Sequence, residues 1–274
     1  GDVTHNSTGA TTQNVAVSGT ATKPVVGLVC EDFDTGWTDG AKIDNSDWYS
    51  NNGPTIEQGE GVASSWGISP SGNICIWKTQ TFNWADPSLT GVVLQLDFET
   101  DATAQFDDDR VGWQTTNSDI NSNLIFGVQL DNASGHRRIE GYWDHVYNSG
   151  DDDGRPEIVD LDSVGLAANS WYRLTAEFTK LTNTSAKIDV ELWLLDSSGN
   201  PVSLTASGTL ADTSGLGSTS PNASPAPEYF TAANLYPAYK NHSGAAANAD
   251  NACYMVVTSL TNRAPDQPTL VQPL

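Results

Sequence analysis

The sequence predicts an all-β fold built from two antiparallel layers, a β-sandwich. Apolar and polar residues alternate with a period of two along many short segments, and clusters of Gly, Asn, Asp, Ser and Pro separate these segments. No long stretch shows the 3.6-residue period of an amphipathic helix. A chain of 274 residues can bury a full core. We therefore expect one main domain, over residues 22–262.

Three segments carry the clearest strand pattern. In "VVLQLDFET", residues 92–100, apolar side chains occupy one face while Asp97 and Glu99 lie on the other, which indicates a strand with one wet side. The segments "WYRLTAEFT" and "KIDVELWLL" repeat this alternation. One helical turn or a short helix is predicted near "YFTAANLYPAY". Further strands are predicted at residues 25–33, 61–68, 74–82, 110–116, 124–130, 137–147 and 253–260.

The two ends of the chain differ from its middle. Residues 1–21 are expected to form the last strand of a preceding immunoglobulin-like domain, with an edge strand of the main domain as the alternative. Residues 263–274 are rich in proline, which is typical of a spacer, here leading towards a fibronectin III-like repeat. Both ends predict a module within a longer secreted protein.

The charge balance excludes several partners. Twelve Lys and Arg against 34 Asp and Glu give a net charge of −22, so a nucleic acid or an anionic membrane surface would be repelled. The balance favours a neutral polysaccharide over a polyanionic one. No run of 18 apolar residues predicts a membrane span, and the first ten residues lack the basic and apolar parts of a signal peptide.

The three cysteines, Cys30, Cys75 and Cys253, are too few for a disulfide framework. One pair can form in an oxidising compartment, and sequence alone does not decide which. Zinc is not expected, because no C-x-x-C spacing occurs and the four histidines are scattered.

Three stretches, "CEDFDTGWTDG", "DWYSNNGPTIEQGEGVASSWGI" and "DNACYMVV", resemble parts of concanavalin A-like and laminin G-like jelly-roll domains and of jelly-roll carbohydrate-binding modules. The resemblance spans residues 25–260 and implies a sandwich of jelly-roll type. In such folds the first and last strands lie side by side, which implies that Cys30 and Cys253 are neighbours, with Cys75 as the competing partner.

The same resemblance implies a structural calcium ion where these two strands meet. Glu31, Asp32 and Asp34 would approach Asp250 there, and converging carboxylates are suited to Ca²⁺, which takes six to eight oxygen ligands. The alternative is that these acids are solvated loop residues.

An enzyme is a minority interpretation. Glu157, Asp160 and Asp162 in "PEIVDLD" lack the spacing of a laminarinase-type catalytic strand, because Glu157 has the opposite parity to the other two unless a bulge intervenes. A polysaccharide lyase could use Tyr142 and His145. However, the Arg-x-x-x-Arg and Gln-Ile-His patterns of alginate lyases do not occur.

A sugar-binding surface requires less: flat rings for the C–H face of a pyranose and polar side chains for its hydroxyls. Successive side chains of a strand point to opposite faces. On the strand predicted after Gly135, Arg138, Glu140 and Tyr142 therefore share one face, and Trp143 and His145 share the other. Parity also directs Trp171 and Trp193 outward, although a ring partly buried under a loop is the alternative for each tryptophan. The predicted binding residues are Arg110, Trp113, Arg138, Glu140, Tyr142, Trp143 and His145.

These observations predict a non-catalytic carbohydrate-binding or adhesion module of a secreted protein, stabilised by calcium. A polysaccharide lyase or glycoside hydrolase on the same fold, and a purely structural spacer, are the alternatives.

Overall fold

The computed structural model describes residues 3–5, 13–15, 28–50, 53–69, 74–106, 109–118, 126–132, 135–143, 156–214, 225, 228–240 and 248–258. Within these ranges the protein contains 18 β-strands, one short α-helix and one 3₁₀ turn. The predicted all-β fold is confirmed.

The strands are short in the first third of the chain and long in the centre. The first nine are β1 (Val3–His5), β2 (Gln13–Val15), β3 (Val29–Glu31), β4 (Ala41–Lys42), β5 (Trp48–Ser50), β6 (Thr55–Gln58), β7 (Trp66–Ile68), β8 (Ile74–Trp77) and β9 (Leu89–Glu99). The last nine are β10 (Asp109–Gln114), β11 (Phe126–Asp131), β12 (Arg138–Trp143), β13 (Glu157–Asp160), β14 (Trp171–Thr182), β15 (Ser185–Leu195), β16 (Pro201–Leu210), β17 (Tyr236–Lys240) and β18 (Ala249–Thr258). The 3₁₀ turn is Val62–Ser64, and helix α1 is Glu228–Thr231.

Two antiparallel sheets form the layers. The seven-stranded sheet has the order β13-β12-β11-β10-β17-β8-β5, and the nine-stranded sheet has the order β16-β15-β14-β9-β18-β7-β6-β4, with β3 paired to β18. This arrangement confirms the predicted two-layer β-sandwich of jelly-roll type. β1 and β2 pair with each other. Their assignment to a preceding domain stays a prediction, and residues 263–274 lie outside the described residues.

The core between the sheets is rich in aromatic rings. Trp113 lies with its ring centroid 4.5 Å from that of Phe126 and 4.8 Å from that of Phe178, which comes from the opposite sheet. All three side chains are fully buried. Burial of one such side chain contributes about 1.5–3 kcal/mol, so this contact between the layers helps to stabilise the sandwich.

The helical turn or short helix predicted near residues 229–239 is confirmed as a single turn, which begins at Glu228. Helix α1 ends at Thr231, and Tyr236–Lys240 form β17 between β8 and β10. Pairing with a strand on each side decides this conformation, because tertiary contacts override weak local preferences.

A disulfide joins Cys30 and Cys253, which are direct cross-strand partners on β3 and β18. Their separation of 223 residues makes the bond a link between the first and last strands of the sandwich. Cys75 is a buried free thiol. The neighbouring strands implied by the jelly-roll resemblance are therefore confirmed.

The helix in the described ranges, α1, has four residues and is too short to cross a membrane.

Candidate functional site

Three charged residues on adjacent strands form a row on the outer face of the nine-stranded sheet. This ion row consists of Asp250 on β18, Asp97 on β9 and Arg173 on β14, which are successive partners in the sheet register. Arg173 donates from Nε and Nη2 to the two carboxylate oxygens of Asp97, at 2.7 and 2.8 Å. Burial raises the pKa of Asp97, against the lowering effect of the Arg173 hydrogen bonds. Burial also raises the pKa of Asp250 to about 7.

Asp250 holds a loop against the sheet. Its Oδ2 accepts hydrogen bonds from the backbone N–H of Val62 at 2.9 Å and from the hydroxyl of Ser65 at 3.0 Å. Its Oδ1 accepts from the N–H of Asn251 at 2.7 Å. The carboxylate thereby fixes both ends of the 3₁₀ turn that lies between β6 and β7.

An open cavity of about 430 Å³ lies beside the ion row. Its wall consists of the loop before and within the 3₁₀ turn, the end of β9, the start of β14, the β15–β16 turn and Asn248. Trp171 and Glu99, which are direct cross-strand partners, contribute a half-buried ring and a half-buried carboxylate. Glu60 and Asp196 add two more carboxylates. We call this the acidic cavity.

One amide joins two of these carboxylates. Asn248 donates from Nδ2 to Oε2 of Glu60 at 2.8 Å and to Oε2 of Glu99 at 3.1 Å. Burial raises the pKa of Glu99, the Asn248 hydrogen bond lowers it, and the nearby charge of Glu60 raises it further. The two carboxylates therefore stand close enough to repel each other, with an amide rather than a cation between them.

The wall of the acidic cavity has an unusual backbone. Six non-glycine residues in the described ranges have positive φ, and three of them line the cavity: Ala63 (58°), Ser64 (62°) and Asn169 (47°). A left-handed conformation at such a residue costs about 1–3 kcal/mol and persists where the surrounding structure fixes it. The wall is thus held in one shape.

The four predicted calcium ligands do not converge in this structure. Glu31 accepts a hydrogen bond from the N–H of Phe33, Asp32 accepts one from the N–H of Asp34, and Asp34 accepts one from the N–H of Trp66. Asp250 faces the 3₁₀ turn. No three of these four carboxylates place oxygens within 4.8 Å of one another in this structure, and their joint binding of an ion stays a prediction. Stabilisation by calcium stays a prediction, which thermal unfolding in calcium and in EDTA tests.

Two of the predicted binding residues, Arg110 and Glu140, belong to a second row, on the face of the seven-stranded sheet away from the core. This polar row runs across four strands as Lys240, Arg110, Gln129 and Glu140. Arg110 donates from Nε to Oε1 of Gln129 at 2.5 Å, and Gln129 donates from Nε2 to Oε1 of Glu140 at 3.2 Å. Arg138 forms ion pairs with Asp131 and Glu140, each at 2.7 Å.

The polar row is buried. The guanidinium of Arg110 lies 3.8 Å above the ring of Tyr142, a cation–π contact. Arg110, Glu140 and Tyr142 are 3%, 0% and 4% exposed, whereas the side chain of Arg138 is 24% exposed. Of these predicted binding residues, Arg138 is the one that a surface ligand can reach.

Two predicted sugar platforms lie in the core instead. Trp113 and Trp143 are 0% and 1% exposed, and Trp113 donates from Nε1 to the backbone oxygen of Tyr229. Alternation along a strand shows which residues share a face, but it does not show which face is buried. In this structure the face that contains Trp143 packs between the two sheets. His145 lies outside the described residues. Trp171 and Trp193, both directed outward by parity, are half-buried on the outer face of the other sheet.

At the edge of the seven-stranded sheet, His136 lies between two carboxylates. Its Nδ1 is 2.5 Å from Oδ2 of Asp162, and its Nε2 is 2.8 Å from Oε2 of Glu157. These hydrogen bonds, that of Asp162 first, raise the pKa of His136 to about 9, so the ring is a cation at neutral pH. His136, Asp160 and Asp162 place ligand atoms within 4.8 Å of one another, and this cluster would hold a metal ion only after the ring loses its proton.

Sequence reasoning missed most of the acidic cavity. Alternation along β9 placed Glu99 on the wet face, and alternation along β14 placed Trp171 there. No local signal identified Glu60 or Asn248, because their meeting with Glu99 depends on loops that are far apart in the chain.

No family model and no curated protein matches this chain. The PL-14 alginate lyase from the marine organism Aplysia kurodai is similar in structure, with a TM-score of 0.42, 11% identity and coverage of 77% of this chain and 91% of that one. The carbohydrate recognition domain of Emp46p in its metal-free form has a TM-score of 0.42, 9% identity and coverage of 80% and 97%. The exoplasmic/lumenal domain of VIP36, bound to Ca²⁺ and Man3GlcNAc, has a TM-score of 0.38, 11% identity and coverage of 81% and 90%. Similarity at this level carries no conclusion about the function of this chain.

Proposed function

We propose that this chain is a non-catalytic carbohydrate-binding module and that the acidic cavity is its saccharide-binding site. The observation that carries the proposal is the half-buried ring of Trp171, which lines an open cavity together with carboxylates and amides. A pyranose packs its C–H face on such a ring, while carboxylate and amide groups bind its hydroxyls.

The size and rigidity of the cavity support this function. Its volume of about 430 Å³ falls within the range of about 300–1,000 Å³ that is typical of small-molecule sites. Asp250 and the positive-φ residues hold the wall in place before a ligand arrives, which lowers the entropic cost of binding.

The setting of the module is also inferred. The Cys30–Cys253 disulfide supports secretion, because such bonds persist in oxidising compartments. A single open site binds a glycan weakly, and several copies within a larger protein would raise the overall affinity. The charge of −22 favours a polysaccharide without acidic groups.

A glycoside hydrolase is the second candidate, favoured by Glu60 and Glu99. Both carboxylates bind the same nitrogen of Asn248, and the pKa of Glu99 is raised, mainly by burial. A proton donor with a raised pKa beside a second carboxylate is the arrangement that glycoside hydrolysis requires.

A glycan array with the purified protein, in calcium and in EDTA, tests the proposal, followed by calorimetry with each glycan that binds. Trp171→Ala should weaken binding about tenfold, since loss of the ring contact removes on the order of 1–2 kcal/mol. Trp193→Ala is the matched control, because Trp193 is a half-buried ring on the same face that does not line the cavity. It should change affinity less than twofold.

Absence of binding across the array would refute the proposed function, as would equal affinities of the Trp171→Ala and Trp193→Ala variants. A reducing-sugar assay on each bound glycan separates the two candidates. Turnover that Glu99→Gln abolishes, with binding retained, would establish the hydrolase instead.

A further inference from the structure

We propose that the acidic cavity is selective for a saccharide residue that carries a protonated amine, of the 2-amino-2-deoxy type. This inference rests on the proposed function, and it specifies the chemical class of the ligand. Its basis is the combination of charge, ring and geometry in the cavity wall.

The charges that line the cavity have one sign. Among the described residues of the wall, the titratable side chains are those of Glu60, Glu99 and Asp196, and none is a Lys, Arg or His. Arg173, a cation on the same sheet face, donates two hydrogen bonds to the carboxylate of Asp97. A neutral saccharide would leave this negative potential uncompensated, whereas an ammonium group would be attracted by it.

The two glutamates stand where one nitrogen can reach both. Asn248 Nδ2 donates to Oε2 of each, at 2.8 and 3.1 Å, which shows that the pair accommodates a nitrogen donor between its members. Within the described part of the chain, the second oxygens of Glu60 and Glu99 accept no hydrogen bond, so acceptors remain for an incoming N–H group. The charge of Glu60 raises the pKa of Glu99, and a bound cation would relieve that repulsion.

The ring of Trp171 adds a second preference for a cation. Glu99 and Trp171 are direct partners across β9 and β14 and project from the same face, so their side chains are neighbours. Tryptophan is the aromatic residue that attracts cations most strongly through its ring face. A pyranose stacked on Trp171 can therefore present an amine to Glu99.

Asp196 keeps its negative charge at the rim. It accepts hydrogen bonds from the backbone N–H groups of Asn200 and Ser198, which lower its pKa. These bonds fix the β15–β16 turn, so Asp196 contributes potential to the cavity without needing to move.

The test compares three oligosaccharides of equal length by calorimetry, in EDTA and at mildly acidic pH and low salt. These are a glucosamine oligomer, its N-acetylated form and the corresponding glucose oligomer. The glucosamine oligomer should bind at least tenfold more tightly than the other two, and added salt should reduce this advantage because it screens the charges. Glu99→Gln and Glu60→Gln should each reduce the ratio of glucosamine-oligomer affinity to glucose-oligomer affinity to threefold or less. Glu191→Gln, an exposed residue of the same sheet that does not line the cavity, is the matched control and should preserve the advantage.

Equal affinity for the three oligomers, or an advantage that survives both glutamine variants, would overturn the inference and leave the proposed function standing. If the protein bound neither these oligomers nor any glycan on the array, both the inference and the proposed function would be overturned. A calcium titration that shows Ca²⁺ bound by Glu60 and Glu99 and excluding the glucosamine oligomer would also overturn the inference, because the pair would then be a metal site. Thermal unfolding of each variant confirms that it is folded.

Discussion

Arg173 and Asp97 lie directly opposite each other on β14 and β9, and the guanidinium donates two hydrogen bonds, of 2.7 and 2.8 Å, to a carboxylate that is 0% exposed. This pair links the two long central strands of the nine-stranded sheet beside the acidic cavity. Asn251 donates a further hydrogen bond to Asp97, at 3.0 Å. The ion row is thus part of the sheet and also part of the support of the cavity wall.

Replacement of Arg173 by leucine should destabilise the protein by about 3 kcal/mol. The variant leaves Asp97 buried beside Asp250 without its cation, and removal of one partner of a buried ion pair costs about 3–5 kcal/mol. The estimate is at the lower end because the Arg173 side chain is 21% exposed. Urea unfolding measures the change.

The control is a pair on the surface of the same sheet. Lys187 and Asp189 lie 2.6 Å apart, with side chains 39% and 32% exposed. Exposed pairs contribute about 0–1 kcal/mol, so Lys187→Leu should change stability by less than about 1 kcal/mol. Equal losses of unfolding free energy in Arg173→Leu and Lys187→Leu would show that the buried Asp97 carboxylate needs its cation no more than an exposed one does.

The long strands could be predicted because β9, β14 and β15 each have one apolar face and one polar face, and alternation alone reveals such a strand. The same reasoning failed for β12. There five of six residues are buried, so both faces are covered and Glu140 is as inaccessible as Trp143. A polar residue in that strand indicates a buried network rather than a wet surface, and only the packing of the second layer distinguishes the two.

The meeting of Asp250 with the 3₁₀ turn was equally out of reach of sequence reasoning. Its position beside the first strand followed from the jelly-roll resemblance, but its hydrogen-bond partners, Val62 and Ser65, lie in a loop 188 and 185 residues away. The identity of a carboxylate's partner depends on how such a loop folds back, which alternation does not encode.

Reduction of the Cys30–Cys253 disulfide should lower the free energy of unfolding by about 2–5 kcal/mol. The bond closes a loop of 223 residues, and a longer loop restricts the unfolded chain more strongly in the chain-entropy description. Urea unfolding with and without a reductant measures the difference.

The variants separate this bond from the third cysteine. Cys75→Ala should lose the same stability on reduction as the wild type, because Cys75 is a free thiol. The Cys30→Ala, Cys253→Ala double variant should show no effect of the reductant. A reductant effect that disappears in Cys75→Ala would mean that Cys75 takes part in the bridge.

Gly127→Ala should destabilise the seven-stranded sheet by about 1–3 kcal/mol, the usual cost of overpacking. A Cβ atom at Gly127 would lie 2.1 Å from the backbone oxygen of Val111 and 2.6 Å from the Cα of Gly112 on the neighbouring strand. These contacts are with backbone, so no side-chain rotation relieves them. Gly165→Ala is the matched control, because a Cβ there meets nothing within 4 Å, and it should leave the melting temperature almost unchanged. Equal melting temperatures for the two variants would contradict the close approach of β10 and β11.

The carboxyl group of Asp250 should make the protein less stable as the pH rises from about 4 to about 7. Its pKa is about 7 in the folded protein, mainly because of burial, and about 3.9 in an unfolded chain. Between these values the folded state keeps a proton that the unfolded state has released. The contribution of this group to stability is therefore full below about pH 4 and is lost as the pH approaches 7.

Urea unfolding of the wild type and of Asp250→Asn at several pH values isolates this contribution, since other acids affect both proteins alike. The asparagine variant should show a smaller fall in stability over this range. Ser65→Ala removes a hydrogen bond that lowers the pKa of Asp250, so the fall should extend to higher pH in this variant. Parallel curves for all three proteins would mean that Asp250 ionises in the folded protein as it does in the unfolded chain, and that its burial beside Asp97 does not hold the proton.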